Sequence, residues 1–277
     1  MAGFPAPQTP RGFGSGKTGM RTRTTRFGRT VVALMLREMA SRYGRSPGGY
    51  VWAVMEPLGM ILLLSIGFSL VMRSPALGNS FLLFYATGFL PFNLYQRLAN
   101  TVGTSLPFSR NLLTYPAVSW FDAISARFVL NTMTQLLVSY VLMVGILVVI
   151  DSPVVLSFGP ILFAFACAAL LGLGVGLVNA VLFGLVPVWQ PIYRILNRPL
   201  FLASGIILIY ESMPPLAQDI LWWNPLLHIT GRAHEGFFAM YTPQYVVNAY
   251  PIGWGLVLTA LGLLLLRRHH ARILQNS

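Results

Sequence analysis

Long apolar runs separated by short polar punctuation occupy most of the chain. Stretches such as Met60–Met72 and Leu136–Ile150 are apolar almost throughout and lack the in-out alternation of a membrane β-barrel strand. Apolar runs near 20 residues match the hydrocarbon thickness of a bilayer, where a helix satisfies its own backbone polar groups. Read between proline, glycine and charge, the runs predict spans near Val54–Met72, Phe81–Thr104, Phe128–Ile150, Val155–Leu182, Tyr193–Tyr210 and Asn248–Leu266. The pattern therefore predicts an all-α polytopic membrane protein with six transmembrane helices.

Two segments carry a different pattern. Between Phe27 and Tyr43, the apolar residues Val32, Met35, Leu36, Met39, Ala40 and Tyr43 recur three and four apart, opposite a line of Arg26, Thr30, Arg37 and Ser41. That spacing predicts an N-terminal amphipathic helix lying in the membrane interface. Glu38 and Arg42 are four apart in the favourable order, and Gly44 with Pro47-Gly48-Gly49 ends the helix. The second segment, Glu211–Tyr250, is too often broken by proline to span, yet it holds Trp222, Trp223, Phe237, Phe238, Tyr241 and Tyr245. Short re-entrant or interfacial helices between the fifth and sixth spans fit it. Within it, Asn224-Pro225 reads as an N-cap followed by proline at the first helical position, starting a helix through Glu235 that Gly236 can close. Arg232 and Glu235, three apart on that helix, form a natural pair.

Composition sharpens the class. With 277 residues, 55% hydrophobic, 9% charged, and a mean hydropathy of +0.66, the chain has too few charges to solvate an ordinary folded surface. The net charge of +12 reads as topology. Nine Lys or Arg (Arg11, Lys17, Arg21, Arg23, Arg26, Arg29, Arg37, Arg42 and Arg45) fall in the first 45 residues, with one acid, which predicts a cytoplasmic N-terminus. Six crossings then return Arg267, Arg268, His269, His270 and Arg272 to the same side. Asp151, Glu211, Asp219 and Glu235, four of the seven acids, fall in connections placed outside. The basic residues are spread over separate segments without a binding fold, so nucleic acid is not an expected partner.

Candidate chemistry is sparse. The stretch Arg11-Gly-Phe-Gly-Ser-Gly-Lys-Thr18 imitates a P-loop, but Arg11 stands where the first glycine belongs and no strand precedes it. Residues 1–26 read as a flexible basic cytoplasmic tail beside anionic lipid, without the apolar core of a signal peptide, and residues 27–277 as one transmembrane domain. The single Cys167 can form no internal disulfide, and nothing near it suggests a metal site. No Asp-x-Asp or His-x-x-His pattern offers a catalytic or metal set, so no enzymatic activity is expected of this chain. Two proline-fenced connections on the cytoplasmic side, Pro107–Pro116 and Pro187–Arg194, resemble each other in build. The first exposes Arg110, Asn111 and Tyr115; the second carries Trp189, Gln190 and Arg194. Glu56, Arg97, Asp122 and Arg127 lie near helix ends, where each would cost roughly 2.5 to 3.5 kcal/mol facing the centre of the lipid, so pairing or a polar interior is expected.

The order of elements resembles the permease subunits of type-2 ABC exporters: Leu36-Arg-Glu before Arg42-Tyr43, then Ser46-Pro-Gly-Gly-Tyr-Val-Trp52 and Glu56-Pro57 leading into the first span. Asn197-Arg-Pro-Leu-Phe-Leu-Ala-Ser-Gly205, followed by Trp223-Asn-Pro-Leu-Leu-His228 and Arg232, is similar to the capsular polysaccharide export branch. The resemblance covers Phe27 to the C-terminus. It implies a homodimer of six-helix subunits in the bacterial inner membrane, paired with an ABC ATPase dimer that binds the ATP and Mg; no cofactor is expected on this chain. It further implies a lipid-linked polysaccharide as cargo, with periplasmic and outer-membrane export proteins continuing its route. Carried onto this sequence, it places the ATPase interface at Arg37, Glu38, Arg42, Arg110, Asn111 and Tyr115, with Gln190 and Arg194 as a smaller contact. The basic tail before Phe27 departs from the short N-terminus of that family. A glycan cannot cross hydrocarbon unaided, and aromatic faces let sugar CH surfaces slide. Trp52, Tyr85, Tyr95 and Tyr210, with Glu56 and Arg97, are therefore the candidate substrate path. Permeases for another lipid-linked glycan such as O-antigen, ion-coupled transporters and membrane glycosyltransferases remain the alternative classes.

Overall fold

A computed structural model describes residues 19–43, 49–113, 118–150 and 154–276, and among them every regular element is helical, with no strand. In chain order these are α1 (Gly19–Tyr43), α2 (Gly49–Ser69), α3 (Phe81–Gly103), α4 (Ser105–Leu113), α5 (Trp120–Val149), α6 (Phe158–Leu185) and α7 (Trp189–Leu202). A 3-10 turn at Tyr210–Ser212 precedes α8 (Pro215–Leu221), α9 (Pro225–Phe237) and α10 (Ala249–Asn276). Four helical stretches are long and apolar enough to cross a membrane: Val51–Ser69, Trp120–Val149, Phe158–Leu185 and Ala249–Leu274.

The two remaining expected spans depart from that description for different reasons. Helix α3, with 23 residues, is about 34 Å long and sufficient for a bilayer, but Asn93, Gln96, Arg97 and Asn100 lower its apolar content. Most of its residues are buried against protein, so its solvent is the rest of the bundle. The expected span Tyr193–Tyr210 is not one helix. Helix α7 starts at Trp189, absorbing most of the connection expected at Pro187–Arg194, and ends after 14 residues, about 21 Å. Gly205 follows in the left-handed region, at φ +72°, a conformation that side-chain-bearing residues rarely adopt. At the N-terminus, α1 begins at Gly19 rather than Phe27, so part of the expected tail is helical. The P-loop-like stretch through Lys17 lies outside the described residues.

Helix α6 is the axis of the bundle, packed most extensively on α10 and α3. Its glycines make that possible. A Cβ at Gly172 would stand 2.9 Å from the Tyr95 carbonyl oxygen, and one at Gly174 would stand 2.9 Å from the Gly255 carbonyl oxygen. Gly176, four residues after Gly172, faces Val102 of α3 in the same way. Small residues four apart let helix backbones approach where lipid supplies no hydrophobic drive between helices. These contacts pair rising numbers with rising numbers, Tyr95 with Gly172 and Val102 with Gly176, then Gly174 with Gly255 and Leu177 with Gly262. Helices α3, α6 and α10 are thus parallel. One end of the bundle gathers α1, α4 and the start of α5; the other gathers α8 and α9.

Candidate functional site

A groove of about 710 Å³ opens between α2, α3 and α7. Its apolar walls come from Phe89 and Phe92 on α3 and Phe201 on α7, and its polar lining from Glu56, Asn93, Gln96, Arg194, Asn197 and Arg198. The sequence builds it from helix spacing: Arg194, Asn197, Arg198 and Phe201 fall three and four apart and share one face of α7. Arg97 stands 3.7 Å from Glu56. The Glu56 side chain is 70% exposed, so this ion pair is weak, and Arg194 and Arg198 leave the groove cationic. Asn197 is buried, and its Oδ1 has no hydrogen-bond donor among the described residues. Behind it, Tyr95, Asn179 and Tyr193 form a buried polar cluster in which Trp189 Nε1 donates to Asn179 Oδ1 at 3.1 Å. Positive charge, carboxamides and aromatic walls together suit a hydroxyl-rich, anionic ligand.

At the bundle end that carries α1 and α4, Arg127 of α5 lies buried between three elements. Its Nε donates to Glu38 Oε1 of α1 at 3.2 Å, and its Nη1 to Thr104 Oγ1 at 3.4 Å. Its guanidinium carbon sits 4.3 Å from the centre of the Phe108 ring on α4. Only 9% of the Arg127 side chain and 4% of Glu38 are exposed, and the two buried charges compensate each other. One turn earlier, Ser119 and Asp122 form a reciprocal capping box at the start of α5, with Asp122 Oδ2 accepting from the Ser119 amide at 2.9 Å. Asp122 and Arg127 thereby find the compensation expected of ionisable groups at this depth, by different routes.

The opposite end is closed by short helices. Asn224 caps α9 by accepting from the Leu226 amide, and its Nδ2 donates to the Ala203 carbonyl at 2.9 Å, tying α9 to the end of α7. Arg232 and Glu235 pair as their spacing indicated. Two buried histidines hold this layer. Thr87 Oγ1 and His234 Nδ1 share a hydrogen bond at 2.9 Å, and His234 Nε2 lies 3.4 Å from the Gly205 carbonyl oxygen. His228 Nδ1 accepts from the Val247 amide at 3.2 Å, while Nε2 donates to Trp222 O. Burial pushes both imidazoles below the usual histidine range, His234 to about 4.

The site residues expected from the sequence separate into groups. Glu56 and Arg194 line the groove, with Arg97 reaching Glu56 beside it, Arg194 having been expected at an ATPase contact. Trp52 is exposed on the open face of α2. Tyr85 is enclosed by Phe68, Phe81 and Phe84, and Tyr95 is buried beside Phe92; neither lines the groove. Tyr210 stacks on Tyr245 at 4.2 Å between ring centroids, near α9. Arg37, Arg110 and Gln190 are exposed, whereas Glu38 turns inward to Arg127. The Arg42 and Asn111 side chains and all of Tyr115 lie outside the described residues. Arg198 and Asn197 as groove residues, and Glu38 as the partner of Arg127, were missed; the face shared by Arg194, Asn197 and Arg198 was the available signal.

The described residues form a helical bundle with membrane-length apolar helices, short helices at both ends and a polar groove beside the central helices. The chain belongs to the ABC-2 type transporter family, whose profile matches residues 29–238. It is 29% identical to the polysialic acid transport protein KpsM of Escherichia coli over 247 residues, covering 89% of this chain and 96% of that one. It is 28% identical to the capsule polysaccharide export inner-membrane protein BexB of Haemophilus influenzae over 242 residues, 86% of this chain and 88% of that one. Identity to the capsule polysaccharide export inner-membrane protein CtrC of Neisseria meningitidis serogroup A is 27% over 246 residues, 87% and 91% of the two chains.

Proposed function

We propose that this chain is the membrane subunit of an ATP-driven exporter that moves lipid-linked capsular polysaccharide across the inner membrane, with ATP hydrolysed by a separate subunit. The observation that carries the reading is the near full-length similarity to KpsM, BexB and CtrC, whose names specify polysialic acid transport or capsule polysaccharide export. The groove agrees with it chemically. Arg194 and Arg198 attract anionic groups, Asn93, Gln96 and Asn197 exchange hydrogen bonds with hydroxyls, and the phenylalanines stack on sugar CH faces.

The helix directions support six crossings. Helix α6 ends at the bundle end where α10 also ends, so the chain between them must cross back; α7 and residues 203–212 form that fifth, broken crossing. Non-helical backbone is tolerated at membrane depth where protein surrounds it, as it does here at buried Ser204, Gly205 and Ile206. With six crossings and the basic N-terminal segment inside, both termini are cytoplasmic. The exposed side chains of Arg37 on α1 and Arg110 on α4, with Arg42, Asn111 and Tyr115, then face an ATPase dimer, and Gln190 forms the smaller contact. Two copies of this chain, with open α2 and α7 faces, enclose the path, and periplasmic and outer-membrane proteins receive the cargo.

The test is complementation: the chain and the ATPase encoded beside it are expressed in capsulated cells lacking their own permease and ATPase genes. Restored surface polysaccharide supports the reading. Polysaccharide retained in the cytoplasm despite correct membrane insertion contradicts it.

A further inference from the structure

Helix α4 is nine residues long, too short to hold its own place. Leu106 and Ser109 are buried, while Phe108 and Arg110 are exposed. Its exposed Phe108 ring is nevertheless covered on one side by the guanidinium of Arg127. The same guanidinium takes Glu38 of α1, 89 residues away in sequence. A single side chain on a spanning helix thus holds the interfacial helix with one group and the short helix with another.

Packing alone does not call for this arrangement. A buried ion pair contributes little net stability compared with apolar residues of similar volume, because both charges are desolvated. What a planar guanidinium adds is fixed geometry, a directed hydrogen bond in its plane and a stacking face perpendicular to it. Both are in use: Nε and Nη1 point at Glu38 and Thr104, and the face lies over Phe108.

We propose that Arg127, oriented by Glu38, is the positioning residue that makes α1, α4 and α5 move as one body when the ATPase subunit displaces α4. This rests on the exporter reading above. The lever arm is α5 itself, a 30-residue helix whose first two turns hold Arg127 and whose remainder crosses the bundle. Without the Arg127 contact, α4 can shift under the ATPase while α5 stays in place, and hydrolysis proceeds without transport.

The experiment compares the wild-type chain, the single variant Arg127→Lys and the double variant Arg127→Met with Glu38→Gln. The double variant removes both charges of this buried pair together, so neither is left facing the other's vacancy. Each is purified with the ATPase subunit and reconstituted, and polysaccharide transported per ATP hydrolysed is measured. We expect the double variant to assemble with the ATPase but to lose at least about tenfold in that ratio, with Arg127→Lys intermediate. A ratio within about twofold of wild type in the double variant, or a double variant that no longer binds the ATPase, overturns the proposal. Failure of the wild-type chain to bind or stimulate any ATPase would instead overturn the exporter reading.

Discussion

Gly172 of α6 lies against the main-chain carbonyl of Tyr95 on α3, so close that a Cβ there would stand 2.9 Å from the oxygen and 2.9 Å from Leu98 Cβ. Neither obstacle is the far end of a flexible side chain, so relief requires the helices to separate. Gly172→Ala is expected to destabilise the bundle by about 1–3 kcal/mol, read as a lower thermal unfolding midpoint in detergent. Gly145→Ala on α5, where nothing lies within 4 Å, is the matched control and is expected to change stability by less than about 0.5 kcal/mol.

Asn224 joins two elements with one side chain, its Oδ1 capping α9 and its Nδ2 bridging to Ala203. Asn224→Ala removes both and should cost about 1–2 kcal/mol. Asn224→Ser keeps a capping oxygen without the bridge and should lie between. Hydrogen exchange across residues 203–227 distinguishes the two losses. Faster exchange at the first amides of α9 marks the lost cap, and faster exchange near Ala203 marks the lost bridge.

The same residue shows what was legible in the sequence. Asn224-Pro225 is a local signal and gave the start of α9 to the residue, and proline and glycine punctuation located α3 within one residue at its end. Summed hydropathy carries no direction. Asn93 and Gln96 lower the apolar content of α3, although they face a groove inside the bundle. The break in the fifth expected span was not legible because an apolar run does not reveal that Gly205 takes a left-handed turn. The buried pairing of Glu38 with Arg127, 89 residues distant at a site three elements share, was not legible from local spacing. Exposed expectations such as Arg37 and Arg110 were readable because surface positions demand little of long-range packing.

Acidification should weaken the α9 end. An ordinary histidine takes its proton near 6.5, while buried His234 is held down to about 4. Between those values the unfolded chain binds a proton that the folded one does not, so stability is full above about pH 6.5 and declines as pH falls toward 4. His228, also pushed down by burial, adds in the same direction. The unfolding midpoint is expected to drop between pH 7 and pH 5, and His234→Gln should flatten part of that slope.

The groove makes a separable claim. Arg194 and Arg198 are exposed and form no salt bridge among the described residues, so replacing both by alanine should shift stability by no more than about 0.5 kcal/mol. Export should nevertheless fall by about tenfold or more, since two charge-assisted contacts to the cargo are lost. Arg97→Ala breaks only a weakly held pair with Glu56 and should change stability by less than about 1 kcal/mol. Surface polysaccharide per cell, normalised to membrane-inserted protein, checks both variants.

The most direct test is to co-express this chain with an ABC ATPase from the same genome, purify the pair from detergent and measure ATP hydrolysis with and without this subunit. A stable complex whose hydrolysis depends on this chain, and which is lost on changing the exposed Arg37 and Arg110 together, is the result the account requires. A folded, membrane-inserted chain that associates with no ATPase would contradict it.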